Sequence, residues 1–116
     1  MAEQSVHNMW QTIEEKLKNN PAPHQNMQGV YEVQLKDETD GVYQLEFDHG
    51  EITVYTTKEK EPLCILKMKT AHFNAFLKGE LNSTTAFMTG KLKIDGQIGQ
   101  ALKLDQLLKQ YDFSDI

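Results

Sequence analysis

The sequence predicts an α+β domain, and three observations carry that reading. Four stretches alternate apolar and polar residues with the period of a strand, and a fifth is a short run apolar on both faces. Four others place apolar residues at helical spacing, and the 116-residue length suits a single domain. A chain of this size buries about two-thirds of the surface that it exposes when unfolded, enough for one core and one internal pocket.

Ser5 to Asn20 is expected to form an amphipathic helix, because Val6, Met9, Trp10, Ile13 and Leu17 share one face. Ser5 is placed to cap it, Glu14 and Lys18 to pair across one turn, and Asn19-Asn20-Pro21 to end it. Residues 21–26 read as a connector. Three strands follow, with Tyr31, Val33 and Leu35 opposite Glu32, Gln34 and Lys36 on the first. Tyr43, Leu45 and Phe47 repeat the pattern against Gln44 and Glu46, and Ile52 and Val54 against Thr53 and Tyr55. Turns at 37–41 and 48–50, each ending in glycine, join them as an antiparallel meander. A sheet with one apolar face needs a covering layer, which the helices must supply.

Leu63, Cys64, Ile65 and Leu66 are apolar on both faces of a fourth strand, which predicts a central position. Thr70 then caps a short helix carrying Phe73, Phe76 and Leu77 and ended by Gly79. Residues 82–85 open a further helical turn with Phe87 and Met88, stopped at Gly90. Residues 91–95 alternate as a fifth strand, with Gly96 as its exit. The last helix is expected from Gln97 to Tyr111, and its apolar stripe (Ile98, Ala101, Leu102, Leu104, Leu107, Leu108) is wider than one face.

Composition narrows the function. All 12 basic residues are lysine and the net charge is −5, which speaks against a nucleic-acid partner. No apolar run approaches the ~18 residues of a membrane span. Met1-Ala2-Glu3-Gln4 does not open a signal peptide, and the single Cys64 suits a reducing compartment, so a cytoplasmic location is expected. Charge is uneven: residues 58–109 carry a net +4 and residues 1–57 a net −7. The four histidines lack metal-ligand spacing, Cys64 reads as an inert buried thiol, and Asp37, Asp40, Asp48 and Glu51 read as turn formers. No nucleophile or phosphate-loop motif occurs, so catalytic residues, metal and cofactor are all expected to be absent. What remains is a surplus of large apolar groups, which either fill an ordinary core or line a cavity.

The run from residue 73 bears on that choice. It contains Leu77-Lys78-Gly79-Glu80, then Ala86-Phe87, then Gly90-Lys91-Leu92-Lys93-Ile94, Gly96 and Ala101-Leu102-Lys103-Leu104. In order and spacing this resembles the C-terminal half of the sterol carrier protein type 2 domain family. The preceding helix, meander and cysteine-containing strand match as well, so the resemblance spans nearly the whole chain. Tyr111 to Ile116 do not form the small-basic-leucine signal of eukaryotic members, which points to a stand-alone, bacterial-like member. The resemblance implies a five-stranded, mainly antiparallel sheet with helices packed on one face, enclosing an apolar tunnel. It also implies non-enzymatic binding or transfer of fatty acids, fatty acyl-CoA or sterols.

The candidate ligand-binding residues are Trp10, Phe73, Phe76, Leu77, Phe87, Met88, Leu92, Ile98, Ala101, Leu102 and Leu104. The expected partner is a hydrophobic small molecule, with at most transient membrane contact. The C-terminal helix is the expected mobile wall, and Lys91, Lys93 and Lys103 are placed to attract an anionic head group. Two other readings stay open: a small isomerase- or hydrolase-like enzyme with a conical cavity, and a solid module that binds another protein.

Overall fold

A computed structural model of the chain describes residues 6–39 and 41–114. Ser5 as a helix cap, Asp40 as a turn acid and the last two residues of the tail lie outside that range. The element order is α1 (Val6–Asn19), one turn of 3-10 helix (Ala22–His24), β1 (Gly29–Leu35), β2 (Val42–Asp48), β3 (Glu51–Tyr55), β4 (Cys64–Met68), α2 (Thr70–Leu77), α3 (Ser83–Met88), β5 (Leu92–Gly96) and α4 (Ile98–Leu108). The five strands form one sheet in the order β3-β2-β1-β4-β5. The meander is antiparallel as its turns predict, β4 lies inside the sheet, and only the β1–β4 pair is parallel.

The parallel pair follows from a crossover. After β3 at one edge, residues 56–63 return across the outer face of β2 and β1 to start β4 beside β1. Gln44 holds this crossover, its Oε1 accepting from the backbone of Glu59 and Lys60 and its Nε2 donating to the Lys60 carbonyl at 2.8 Å. The same Nε2 donates to Glu32 at 2.9 Å, and Gln34 Nε2 donates to the other carboxylate oxygen at 2.6 Å. Glu32 and Gln44, on the face opposite the apolar row, are therefore fully buried. They can be, because the chain that covers them also satisfies them.

On the other face, the helices cover the apolar row. Trp10 of α1 lies stacked between Tyr43 of β2 (4.8 Å) and Phe73 of α2 (5.1 Å). His24, in the connector, is fully buried; its Nε2 donates to the Leu17 carbonyl at 2.9 Å and closes the end of α1. Gly96 has φ +93°, and a Cβ there would stand 2.8 Å from the Leu63 carbonyl oxygen, so only glycine makes the turn from β5 into α4. Helix α4 ends at Leu108, earlier than its apolar pattern suggests. The tail then folds back: Phe113 is buried, and the Tyr111 hydroxyl donates to the Asn20 carbonyl at 2.6 Å. The C-terminal wall is thus tied down beyond its last turn.

Thr70 is not the cap of α2 but its first residue, and Lys69 at the cap position offers no side-chain bond. Asp37 caps the helix from the β1–β2 turn, accepting from the Thr70 N–H at 2.9 Å and from its hydroxyl at 2.8 Å. These two bonds, the backbone one foremost, hold the Asp37 carboxyl below its ordinary range. Asp37→Ala is expected to cost about 1 kcal/mol, as loss of a cap does. A depressed folded value means that the contribution is full above the unfolded pKa of about 3.9 and fades as pH falls through the folded one. Urea denaturation checks this: the gap between wild type and Asp37→Ala should narrow below about pH 4, and a gap unchanged at pH 2 would refute the cap.

Candidate functional site

Helices α3 and α4 and strand β5 frame a cleft at the end of the sheet. Asn82 Oδ1 accepts from Thr85 N at 2.7 Å and starts α3, a helix of only six residues. Its first residue is fastened to α4, because Ser83 donates to Asp105 Oδ2 through its hydroxyl (2.7 Å) and its backbone N–H (3.2 Å). The other Asp105 oxygen lies 3.3 Å from Lys109 Nζ. This fastening fixes one end of α3 and leaves a gap beside its apolar side. The cleft has a volume of about 210 Å³ and is lined by Ser83, Thr84, Phe87, Ile94, Ile98 and Leu102.

The structure divides the candidate residues into three groups. Phe87, Ile98 and Leu102 come together in the cleft and are 44, 49 and 38% exposed. Trp10, Phe73, Phe76, Leu77, Leu92, Ala101 and Leu104 are at most 3% exposed and belong to the contiguous core. Met88 stands outside the cleft lining at 79% exposure. The wide stripe of α4 is explained by two tasks, since Ala101, Leu104, Leu107 and Leu108 face the core while Ile98 and Leu102 face the cleft. Trp10, a candidate ligand-binding residue by sequence, packs in the α1–β2–α2 stack. Sequence reasoning missed Ser83, Thr84 and Ile94 as lining residues. Of these only Ile94 carried a signal, as the residue two beyond Leu92 on the same face of a strand.

A second, polar groove of about 420 Å³ runs along the other flank of α4, beside the α1–β1 connector. Gln100, Lys103 and Gln106 of α4 and Gln110 just beyond it line the groove with Asn26, Gln28 and Tyr31. The Tyr31 hydroxyl donates to Gln100 Oε1 at 2.7 Å, which leaves the Gln100 amide N–H groups free to donate. Burial foremost, with a contribution from Cys64, pushes Tyr31 up to about 12, so the phenol keeps its proton near neutrality. Burial likewise pushes Cys64 up to about 11, which leaves it a neutral thiol.

The cleft offers apolar contact and little else. Its two hydroxyls belong to Ser83 and Thr84, and Ser83 spends its proton on a carboxylate already paired with lysine. No lining residue is a general base of the histidine type. Among the described residues, no helix is long and apolar enough to cross a membrane.

Comparison with known proteins extends this geometry. Residues 11–109 match the SCP-2 sterol transfer family. Sterol carrier protein 2 of Gallus gallus is 31% identical over 108 residues, which cover 90% of this chain and 20% of that protein. The chain therefore spans about a fifth of the length of that curated relative. In solved structures, the sterol carrier protein domain 2 of Helicoverpa armigera has a similar fold, with a TM-score of 0.73 at 22% identity over 95% of this chain and 94% of that one. Palmitated SCP2L2 from Aedes aegypti superposes with a TM-score of 0.65 at 19% identity, covering 90% and 95% of the two chains.

Proposed function

The chain belongs to the SCP-2 sterol transfer family, and from that premise we propose that it is a non-catalytic lipid carrier whose α3–β5–α4 cleft takes the acyl chain of a fatty acid or fatty acyl-CoA. The observation that carries this reading is the cleft itself: Phe87, Ile98 and Leu102 are large, apolar, exposed and convergent. A similar fold has been solved in palmitated form, which favours an acyl chain over a sterol as the probe.

Size sets the next step. The cleft volume of 210 Å³ lies below the roughly 300–1,000 Å³ of ordinary ligand pockets. The open cleft therefore takes the leading part of a chain, and the rest needs α3 and α4 to part. That movement would bring Phe76, Leu77, Leu92 and Leu104 to the inner end of a deeper tunnel, which keeps them as proposed lining residues of the loaded state. Ten buried methylenes contribute about 8 kcal/mol before an association cost of several kcal/mol. Micromolar affinity with loose selection by chain length follows. The acid group stays at the open mouth of the cleft, because Lys103, although next to Leu102 in sequence, lines the polar groove on the other flank of α4.

A titration with a fatty acid and the fatty alcohol of equal length tests this. Both are expected to bind saturably near micromolar and within severalfold of each other, because burial of the chain drives binding, and Lys103→Gln should leave both affinities unchanged. Native mass spectrometry of freshly purified protein should show a co-purified lipid. Absence of saturable binding by either probe would leave the protein-interaction reading in its place, and turnover of a bound ligand would favour the enzyme.

A further inference from the structure

The polar groove on the other flank of α4 has twice the volume of the apolar cleft, about 420 against 210 Å³, and lipid binding gives it no task. Its size lies within the roughly 300–1,000 Å³ of ordinary ligand pockets. Two of its carboxamides are locked from behind. Tyr31, itself buried, donates its hydroxyl to Gln100 Oε1, so the Gln100 N–H groups are left to a ligand. Gln28 Nε2 donates to Asp48 at 3.0 Å and its Oε1 accepts from the His49 N–H at 3.3 Å, which fixes the connector wall. Asn26, Gln106 and Gln110 are exposed, and their side chains hydrogen-bond to none of the described residues.

The lining says what fills it. A carboxamide offers a donor and an acceptor side by side, and a pair of neighbouring hydroxyls offers the same. Deeper than this polar rim lie Met27, half-buried, and Leu107, buried, an apolar floor suited to the C–H face of a ring. Charge is close to balanced. Lys103 is the charged residue of the lining, and Gln28 brings Asp48, paired with His49 at 2.6 Å, to the rim. The other acids of the framing elements are engaged away from the groove: Glu32 by Gln34 and Gln44 on the far face of the sheet, and Asp105 by Ser83 and Lys109. An anion would meet one cation and one acid. An extended peptide needs an unpaired strand edge, and β1, which borders the groove, is paired on both sides, by β2 and β4. A nucleobase needs an aromatic face to stack on, which buried Tyr31 does not give.

We infer that this groove is a second binding site, separate from the acyl cleft, for a small neutral sugar or cyclic polyol. The ring lies on Met27 and Leu107. Its hydroxyls accept from Gln100 and Lys103 and exchange hydrogen bonds with Asn26, Gln106 and Gln110. Positions 100 to 110 span about 15 Å at 1.5 Å per helical residue, a length that two joined rings can use. No residue lines both the groove and the cleft, so the inference does not rest on the carrier reading.

Nuclear magnetic resonance titration of the full isotope-labelled chain tests it, with maltose, glucose and myo-inositol as neutral probes, glucuronate as the anionic one and tetraglycine as the peptide. At least one neutral probe is expected to give saturable shifts, in the side-chain amides of Gln100 and Gln106 and in the backbone of residues 26–28 and 100–107. These shifts should be the same at low and high salt. Gln106→Ala, at an exposed position, should weaken that binding about tenfold, the loss of one good hydrogen bond. Gln100→Glu still accepts from the Tyr31 hydroxyl but has no N–H to give, and should weaken it by a similar factor. Both variants should bind a fatty acid as wild type does. No saturable shift with any neutral probe overturns the inference, as do shifts centred on the cleft or unchanged affinity in both folded variants. Glucuronate binding more tightly than glucose, and less so as salt rises, overturns it in favour of an anion site; saturation by tetraglycine alone does so in favour of a peptide site. Saturable sugar shifts in a protein that fails to bind fatty acid would uphold the inference and remove only the carrier reading.

Discussion

Trp10→Ala is expected to lose about 3–5 kcal/mol of stability, the cost of emptying a large core position. The side chain is 1% exposed and stacked on both faces, 4.8 Å from Tyr43 and 5.1 Å from Phe73. It is therefore the layer through which α1, β2 and α2 meet, and removing it takes one stacking partner from each neighbour. Set against the roughly 5–15 kcal/mol of a typical domain, this is enough to leave the variant marginal. Trp10→Phe is the informative control. It keeps a ring in the stack and removes an indole N–H that makes no hydrogen bond within the protein, so its cost should be well under half as large. Urea denaturation of both variants measures the difference. Trp10→Phe should bind a fatty acid as wild type does, because Trp10 is not among the residues that line the cleft. A stable Trp10→Ala protein with weakened binding would return Trp10 to the ligand site.

The elements that repeat a local pattern were legible in the sequence, and those built by distant segments were not. Period-two alternation located the meander, and the two-sided apolar run 63–66 located β4 inside the sheet, because both patterns follow from which faces a strand buries. Nothing local marks Glu32 and Gln44 as buried: their cover is a crossover that arrives from residues 56–63. Asp37 likewise looks like any turn acid until Thr70, 33 residues away, comes within 2.9 Å of it. The candidate residues were legible by composition, but composition does not say which of them pack in the core and which line the cleft. Large aromatic residues drew attention, yet Trp10, Phe73 and Phe76 pack against one another and the sheet. The cleft is finished by Thr84, Ile94, Ile98 and Leu102, whose exposure depends on where the Ser83–Asp105 fastening holds α3.

Two neighbours on α4 separate core from cleft in one experiment. Leu102 is 38% exposed on the cleft side, whereas Leu104, about half a turn further on, is fully buried. An aspartate at 102 stays in contact with water, so Leu102→Asp should cost no more than about 1 kcal/mol of stability. An acyl chain entering the cleft must then strip water from that carboxylate, which costs several kcal/mol without a partner. Affinity is expected to fall about 100-fold, a change of roughly 2.7 kcal/mol, and to fall for a fatty alcohol as well as for the acid. An aspartate at 104 has no access to water and no cation among its core neighbours, so Leu104→Asp should unfold the domain or leave it molten. Denaturation curves and ligand titrations on the two variants check both halves. Wild-type affinity in Leu102→Asp would exclude the cleft as the route of the chain. A folded Leu104→Asp that no longer binds would support Leu104 as a wall of the deeper tunnel in the loaded state, whereas a folded Leu104→Asp with wild-type affinity would confine the ligand to the cleft.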